Sequence, residues 1–354
     1  MSIEKKIRVV VVDDSALARR AISDALSRDP GLEVCGLAGD PYEAREKILE
    51  LQPDVITLDL EMPRMDGLTF LKILMEHHPL PVVVISSLTQ SGSAKAMEAL
   101  SLGAVDVLAK PDGKLGLGEL SHRLAFYVKA AARAKRGVPR TTGGTSEEKP
   151  RFGTPPPGGF SSRQVLLIGA STGGVEALRN ILPRLPAGLP PIVVVQHIPP
   201  NFSRLMAERL NELCPYDVRE AQHGQHLRPG LCLVAPGDYH LALQRSGLGY
   251  KVRLTQSPPI HHCRPAVDVL FRSGAECAGQ HATGVLLTGM GVDGARGMLA
   301  LHMAGARTLA EHEDSCIVYG MPQAAIKLNA VDRVVTLSNM PAAIMQCLHE
   351  GSKQ

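Results

Sequence analysis

Short β-branched runs alternate with helix-patterned segments along this chain, and most of the runs stop at polar residues. Ile7–Val12 reads Ile-Arg-Val-Val-Val-Val and stops at Asp13-Asp14. Leu32–Ala38 is a second run, and 54–58 is a third that stops at Asp59. Residues 81–85 stop at Ser86-Ser87, and 105–109 stop at Lys110-Pro111. Between them, 15–27, Pro41–Leu51, 68–76 and 92–102 carry helical spacing. That alternation predicts a parallel sheet wound on both faces. In such a sheet the working side chains gather outside the carboxyl ends of the strands.

Those ends carry Asp13, Asp14, Asp59, Ser86 and Lys110. Three clustered carboxylates repel one another and attract a hard divalent ion through oxygen ligands. A hydroxyl and an ammonium beside them suit a phosphoryl group. Taken singly, any one aspartate reads as a helix cap or a solvated loop residue. Taken together, the strand ends share one chemistry.

A second series begins at 165–168 and runs into Gly169-Ala170-Ser171-Thr172-Gly173-Gly174. A helix-patterned stretch, 175–182, follows and stops at Pro183. Ser171 therefore sits where a strand hands over to a helix. Glycine suits so tight a turn, because it tolerates φ > 0 and close chain approach. The free N–H groups of the helix start would face the serine oxygen, giving a nucleophile and an oxyanion stabiliser together. The same pattern also nearly spells a dinucleotide fingerprint, with Ser171 in place of the second glycine. That reading expects an acid at the end of the next strand. The next strand, 192–195, ends in Gln196-His197 instead. A base stands where the acid should be, which favours hydrolysis over nucleotide binding.

Further on, 284–287 leads into Thr288-Gly289-Met290-Gly291-Val292-Asp293-Gly294. Ser171, His197 and Asp293 each follow an apolar strand, so a parallel sheet would open all three onto one edge. The imidazole would take the hydroxyl proton and return it to the leaving group, while the carboxylate fixes the tautomer. His240, His261 and His262 compete for the base, and Asp238 and Asp268 for the acid. Asp268 sits early in the helix Val267–Cys277 and suits its dipole. Asp238 lies in a Pro-Gly turn. The histidines lack the spacing of a metal site. Gly-x-Ser-x-Gly is also the elbow of α/β-hydrolases, but that fold runs serine, acid, histidine along the chain, and here the order is serine, histidine, aspartate. Elsewhere in this half, Phe202–Leu213, 295–304 and 322–326 read as helices. Leu231–Val234 and 307–310 read as strands, 241–254 as a hairpin and 311–315 as a loop.

The composition is that of a globular cytoplasmic protein. Of 354 residues, 44% are hydrophobic and 21% charged, with a net charge of +3 that implies no polyanionic partner. No apolar run reaches the roughly 20 residues of a membrane span, and the N-terminus is expected to carry no signal peptide. Seven scattered cysteines suggest reduced thiols. With no Trp, stacking on nucleic acid is not expected, and no basic helix-turn-helix offers a DNA-binding output. From about Ala130 the pattern dissolves into basic, Thr/Gly/Ser and Pro/Gly stretches, which predicts a flexible linker. The expected organisation is residues 1–129, a linker over 130–161, and a second domain over 162–354.

Val-Asp13-Asp14-Ser, Leu-Asp59-Leu-Glu61-Met-Pro-Arg-Met-Asp-Gly, Ser86-Ser87 and Lys110-Pro111 resemble the receiver domain of bacterial two-component response regulators. The resemblance implies a flavodoxin-like (βα)5 fold and phosphorylation of Asp59 by a histidine kinase. It implies Mg²⁺ held by Asp13, Asp14, Asp59 and the Glu61 carbonyl, with Ser86 and Lys110 reading out the phosphoryl group and a cis Lys110-Pro111 peptide.

Ile-Gly-Ala-Ser171-Thr-Gly-Gly, Val-Gln-His197, Ala-Pro-Gly-Asp238-Tyr-His240-Leu, Arg264-Pro-Ala-Val-Asp268-Val-Leu-Phe and Leu-Thr-Gly-Met290-Gly-x-Asp293-Gly extend the likeness. The whole chain resembles the chemotaxis response regulator protein-glutamate methylesterases. That implies a Rossmann-like, doubly wound esterase domain with a triad of Ser171, His197 and Asp293. The oxyanion hole would include the Met290 N–H, with Thr172 close by, and no cofactor would serve the ester chemistry. The implied substrates are glutamyl methyl esters, and certain glutamines, on chemoreceptor cytoplasmic domains. Methanol or ammonia leaves, and a chemotaxis histidine kinase is the phosphodonor. Ala266 and His261-His262-Cys263 depart from the family pattern and put the substrate contacts of that loop in question. A response regulator with a non-catalytic binding output is the alternative.

Overall fold

A computed structural model describes residues 5–87, 89–110, 117–134, 160–247 and 249–351. The chain divides into two compact units, Met1–Thr142 and Gly143–Gln354.

The first unit runs β1 (Ile7–Val12), α1 (Ala16–Leu26), β2 (Leu32–Ala38), α2 (Pro41–Leu51), β3 (Val55–Asp59), α3 (Gly67–His77), β4 (Val82–Ser86), α4 (Gln90–Leu102), β5 (Asp106–Ala109) and α5 (Leu117–Ala132). All strand pairs are parallel, in the order β2-β1-β3-β4-β5. β3 and β4 are buried along their whole length, which explains their unbroken apolar spelling. Helix starts are set by side-chain caps: Ser15 accepts from Ala18 N–H, Asp40 from Tyr42 and Glu43, and Asp66 from Thr69. α1 packs on α5, where Ser121 Oγ donates to Ala25 O at 2.6 Å.

The second unit runs β6 (Val165–Ala170), α6 (Gly174–Ile181), β7 (Ile192–Gln196), α7 (Phe202–Leu213), β8 (Asp217–Glu220), β9 (Leu231–Val234), β10 (His240–Ser246) and β11 (Gly249–Thr255). It continues through α8 (Val267–Cys277), β12 (Ala282–Leu286), α9 (Ala295–Met303), β13 (Arg307–Glu311), α10 (Met321–Lys327), β14 (Arg333–Val335) and α11 (Met340–Gly351). Seven strands form one parallel sheet in the order β14-β13-β12-β6-β7-β9-β8, and β10 and β11 form a separate antiparallel hairpin. Leu167, Val193 and Leu233, register partners on one face of the sheet, pack in one buried cluster with Phe271 and Leu301.

Strand order decides where this unit can work. From β6 the chain first lays strands to one side, β7 onward, and later to the other, β12 onward. Such a reversal leaves a crevice outside the strand ends, the usual ligand site of an open α/β sheet. Ser171 follows β6, His197 follows β7, and Asp293 lies in the loop after β12.

Several expectations need adjusting. Helix α5 runs to Ala132, past the expected domain edge at 129, and Glu311 ends β13 instead of opening a loop. β8, β14 and α11 add elements beyond those expected, while α5 is the fifth helix of the expected (βα)5 fold. Most of the expected linker, and the Lys110-Pro111 peptide, lie outside the described residues. No helix among those described is long and apolar enough to cross a membrane.

Candidate active site

The turn after β6 is held from three sides. Gly173 takes φ 80°, which favours glycine, and caps α6. Ser171 N–H donates to Thr288 O at 3.0 Å, and Ser171 O accepts from Gly174 N–H at 2.7 Å. Gly289 approaches so closely that a Cβ there would stand 2.7 Å from Ser171 Cβ. The Ser171 backbone is therefore clamped to the loop that follows β12.

His197 leaves β7 beside that turn, its N–H donating to Ala170 O at 3.1 Å. Its Nδ1 lies 3.0 Å from Ser171 Oγ, and its Nε2 lies 2.7 Å from Asp293 Oδ2. The imidazole thus bridges hydroxyl and carboxylate, with Nε2–H donating to Asp293 and Nδ1 free to accept from Ser171. All three side chains are buried. Charge developing among them is screened by little water, which strengthens each interaction.

Asp293 is more than a partner of His197. Its Oδ2 also accepts from Val267 N–H at 2.7 Å, and its Oδ1 accepts from Asp268 N–H at 3.0 Å and Gly294 N–H at 2.9 Å. Val267 and Asp268 open α8, so the carboxylate caps that helix where the dipole favours negative charge. Asp268 does the same for α9: its Oδ1 accepts from Gly297 N–H, in the first turn of that helix, at 2.7 Å. Two aspartates thereby tie the starts of two packed helices together. Burial would raise the pKa of Asp293, but His197 and the helix amides outweigh it and hold the carboxyl below its ordinary value. Burial would likewise lower the pKa of His197, yet the neighbouring Cys263 and Asp293 push it well above 6.5.

The rival residues are occupied elsewhere. His240 is buried, accepting Ala266 N–H at Nδ1 and donating from Nε2 to Pro258 O. Asp238 pairs with Arg264 at 2.6 Å. His261 Nε2 lies 3.5 Å from Asp268 Oδ2. Ligand atoms of His261, Asp268 and Asp293 lie within 4.8 Å of one another, but four hydrogen bonds already fill the Asp293 oxygens. That cluster reads as a hydrogen-bonded network. Cys263, in the loop singled out for its unusual sequence, brings Sγ to 3.4 Å from His197 Nδ1. Its place beside His197 was not legible from spacing. Thr172 is buried next to Ser171, with its carbonyl accepting from Thr288 Oγ1 at 3.0 Å. Met290 belongs to the turn against Gly320, where a Cβ would stand 2.9 Å from Gly291 N.

In the first unit, carboxylate oxygens of Asp13, Asp14 and Asp59 lie within 4.8 Å of one another. Lys110 Nζ reaches Asp59 Oδ2 at 2.7 Å and Asp13 Oδ2 at 3.1 Å. Burial raises the pKa of Asp59, and Lys110 opposes that rise. Glu61 N–H donates to Asp59 Oδ1 at 3.2 Å, and Ser86 Oγ is buried, donating to Gly92 O at 3.1 Å. Three carboxylates against one ammonium leave a net negative, all-oxygen donor set that fits a hard divalent cation.

Comparison with known proteins finds a match for each unit. Residues 166–344 match the CheB methylesterase family, and residues 9–119 match the response regulator receiver domain. A protein-glutamate methylesterase/protein-glutamine glutaminase 2 of Syntrophus aciditrophicus is 50% identical over 341 residues, 96% of this chain and 99% of that protein. A namesake numbered 4, from Anaeromyxobacter dehalogenans, is 49% identical over 347 residues, 98% of this chain and 96% of that protein. The crystal structure of the Thermotoga maritima CheB methylesterase catalytic domain superposes with a TM-score of 0.51 at 38% identity, covering 52% of this chain and 97% of that one. A buried serine, histidine and aspartate at the switch point of one parallel sheet, and an acidic phosphoryl-type site on another, are thus joined to full-length likeness. The chain belongs to the CheB methylesterase family, with a receiver domain preceding its catalytic domain.

Proposed function

We propose that Ser171, His197 and Asp293 hydrolyse glutamyl methyl esters, and deamidate certain glutamines, on chemoreceptor cytoplasmic domains. The protein is a protein-glutamate methylesterase/protein-glutamine glutaminase controlled by its receiver domain, acting in chemotactic adaptation. The observation that carries the residue assignment is the unbroken hydrogen-bonded path from Ser171 Oγ through the imidazole to Asp293.

Ser171 Oγ attacks the ester carbonyl carbon while His197 Nδ1 takes its proton. The imidazolium that forms is stabilised at Nε2–H by Asp293, and the carbonyl oxygen becomes an oxyanion. The Met290 N–H, with Thr172 beside it, is assigned to that oxyanion. As the intermediate collapses, Nδ1 returns the proton to the departing oxygen, and methanol leaves. Water then attacks the acyl-serine with the same imidazole as base, freeing glutamate and Ser171. A glutamine side chain follows the same path, with ammonia as leaving group.

In the receiver, Asp59 is assigned as the phosphate acceptor and a chemotaxis histidine kinase as the donor. Asp13, Asp14, Asp59 and the Glu61 carbonyl would hold Mg²⁺, whose chemistry there is neutralisation of phosphoryl charge. Lys110 pairs with Asp59 in the unmodified state and is placed to follow a phosphoryl oxygen, with Ser86 as the hydroxyl partner. Residues 1–129, continued by α5 to Ala132, are assigned to the receiver and 162–354 to the esterase domain, around a linker.

Methanol release from a methylated receptor fragment, with and without a small phosphodonor, tests the reading. Release that rises with the phosphodonor and disappears in Ser171→Ala is the expected result. Undiminished release by Ser171→Ala would remove the nucleophile.

A further inference from the structure

We propose that Gln196 is a positioning residue for the esterase reaction, its side-chain amide joining the backbone of the nucleophile to the backbone of the base. The inference rests on the esterase reading of Ser171 and His197. Gln196 ends β7, immediately before His197, and its side chain is buried. Nε2 donates to Ser171 O at 2.8 Å and to His197 O at 3.1 Å. Two carbonyl acceptors fix the amide's orientation, because only the nitrogen side can donate to both. The other end, Oε1, is then left buried with no hydrogen-bond partner.

That orphaned oxygen argues against a packing role. An apolar side chain of similar size would fill the space without stranding a buried acceptor. What the amide alone supplies is a pair of donors, and both go to the two residues that exchange a proton. β6 and β7 pair up to Ala170 and Gln196, and the His197 N–H to Ala170 O bond follows. Past that point the Gln196 amide carries the connection onward, at the level where Ser171 Oγ and His197 Nδ1 must stay 3.0 Å apart.

Gly174 supports the same assignment from the other side. A Cβ at that position would stand 2.1 Å from Gln196 Oε1 and 2.6 Å from Ala170 Cβ. The first residue of α6 is thus glycine where the Gln196 amide needs the space. Ser171 O meanwhile receives two donors, Gly174 N–H and Gln196 Nε2, which pins the peptide that carries the nucleophile. Misplacement of a reacting atom by about 1 Å costs on the order of 100-fold in rate, so modest loosening has a kinetic signature.

The test uses full-length Gln196→Met and Gln196→Glu, with methanol release from a methylated receptor fragment and Ser171 labelling by a fluorophosphonate. Positioning predicts that kcat falls about 10- to 100-fold while KM stays within about twofold. Ser171 labelling should slow in parallel, and receiver phosphorylation should not change. Gln196→Glu turns a carboxylate toward two carbonyls. Its activity relative to wild type should therefore recover as pH falls and the side chain regains an O–H donor. A purely structural role would give no such recovery. Gly174→Ala, which presses on the amide without removing its donors, should lower kcat in the same manner and serves if the Gln196 variants do not fold. A folded variant of either residue with wild-type kcat and labelling rate overturns the proposal. Failure of the wild type to release methanol would instead count against the esterase reading, and the labelling rates would still judge Gln196.

Discussion

His197 turns Nδ1, not Nε2, toward Ser171, and gives Nε2 to Asp293. In the chymotrypsin arrangement the imidazole faces its partners the other way round. The chemistry needs one acceptor nitrogen toward the hydroxyl and one N–H toward the acid, and either ring orientation meets that need. In the proposed reaction the ring carries its proton on Nε2, the tautomer that the Asp293 carboxylate favours.

Asp293→Asn should therefore be severe. An amide facing Nε2 can donate to it, favouring the tautomer with a proton on Nδ1 and nothing to accept from Ser171. By analogy with other triads, kcat should fall on the order of 10⁴-fold. Asparagine at this place keeps Oδ1 as acceptor for Asp268 and Gly294 N–H but turns its NH2 toward Val267 N–H, so some stability is lost as well and the rate is read on folded protein. Esterase assays on the folded Asp293→Asn variant check this, and a loss under about tenfold would mean the carboxylate is not selecting the tautomer.

The raised pKa of His197 sets a pH dependence with a definite sign. The base works only when neutral, so activity should rise with pH and half-maximal rate should lie above 6.5. Cys263 and Asp293 both favour the protonated ring. Cys263→Ala should therefore move the acid limb of the rate profile to lower pH. A kcat/KM profile of that variant superimposable on wild type would show that Cys263 does not influence the base.

Most of the architecture was legible because strands of a parallel sheet are buried on both faces and spell themselves in β-branched residues, as β1, β3 and β7 do. The meeting of Ser171, His197 and Asp293 was legible through position: each follows a strand. β8 reads Asp-Val-Arg-Glu and β14 is three residues long. Both are edge strands, short and charged, and so lack an apolar run. Glu311 looked like a loop residue because of its charge, yet it ends β13 with its side chain fully buried. The Gln196 bridge could not be read at all, since its partners are backbone carbonyls, which no letter of the sequence records.

Glu311 gives a stability prediction. Its Oε2 accepts from Thr288 N–H at 2.8 Å, while Oε1 has no hydrogen-bond partner. The nearby Ser315 hydroxyl is engaged with His312 O and Leu337 N–H. Burial pushes the Glu311 pKa from 4.5 up to about 7. A carboxyl with a raised folded pKa loses stability for the fold as pH climbs from the unfolded value to the folded one. The loss runs from about pH 4.5 to about 7 and is complete above that. Glu311→Gln keeps an acceptor for Thr288 and removes the charge. Its stability relative to wild type should improve by up to about 3 kcal/mol between about pH 5 and about pH 8. Thermal unfolding of the second unit at both pH values reads the difference, and an offset that does not grow with pH would sink the argument.

Lys110 and the divalent cation should be separable in the receiver. Lys110 compensates Asp59 and Asp13, both buried. Its own pKa is lowered by burial but raised more by those two carboxylates, so it stays charged. Lys110→Ala leaves them facing each other without an ammonium, which should raise the Asp59 pKa further and disfavour the ionised form that the proposed phosphoryl transfer needs. Phosphorylation by a small phosphodonor should then need a higher pH. Chelating the divalent cation should abolish Asp59 phosphorylation at any pH, because the remaining charge at the site is negative and repels the incoming phosphoryl group. Fluorophosphonate labelling of Ser171 should survive chelation, since the triad is built from side chains and helix amides alone. Phosphorylation that persists in excess chelator would remove the cation from Asp13, Asp14 and Asp59. Labelling lost on chelation would mean that the ester chemistry has a metal dependence the triad does not explain.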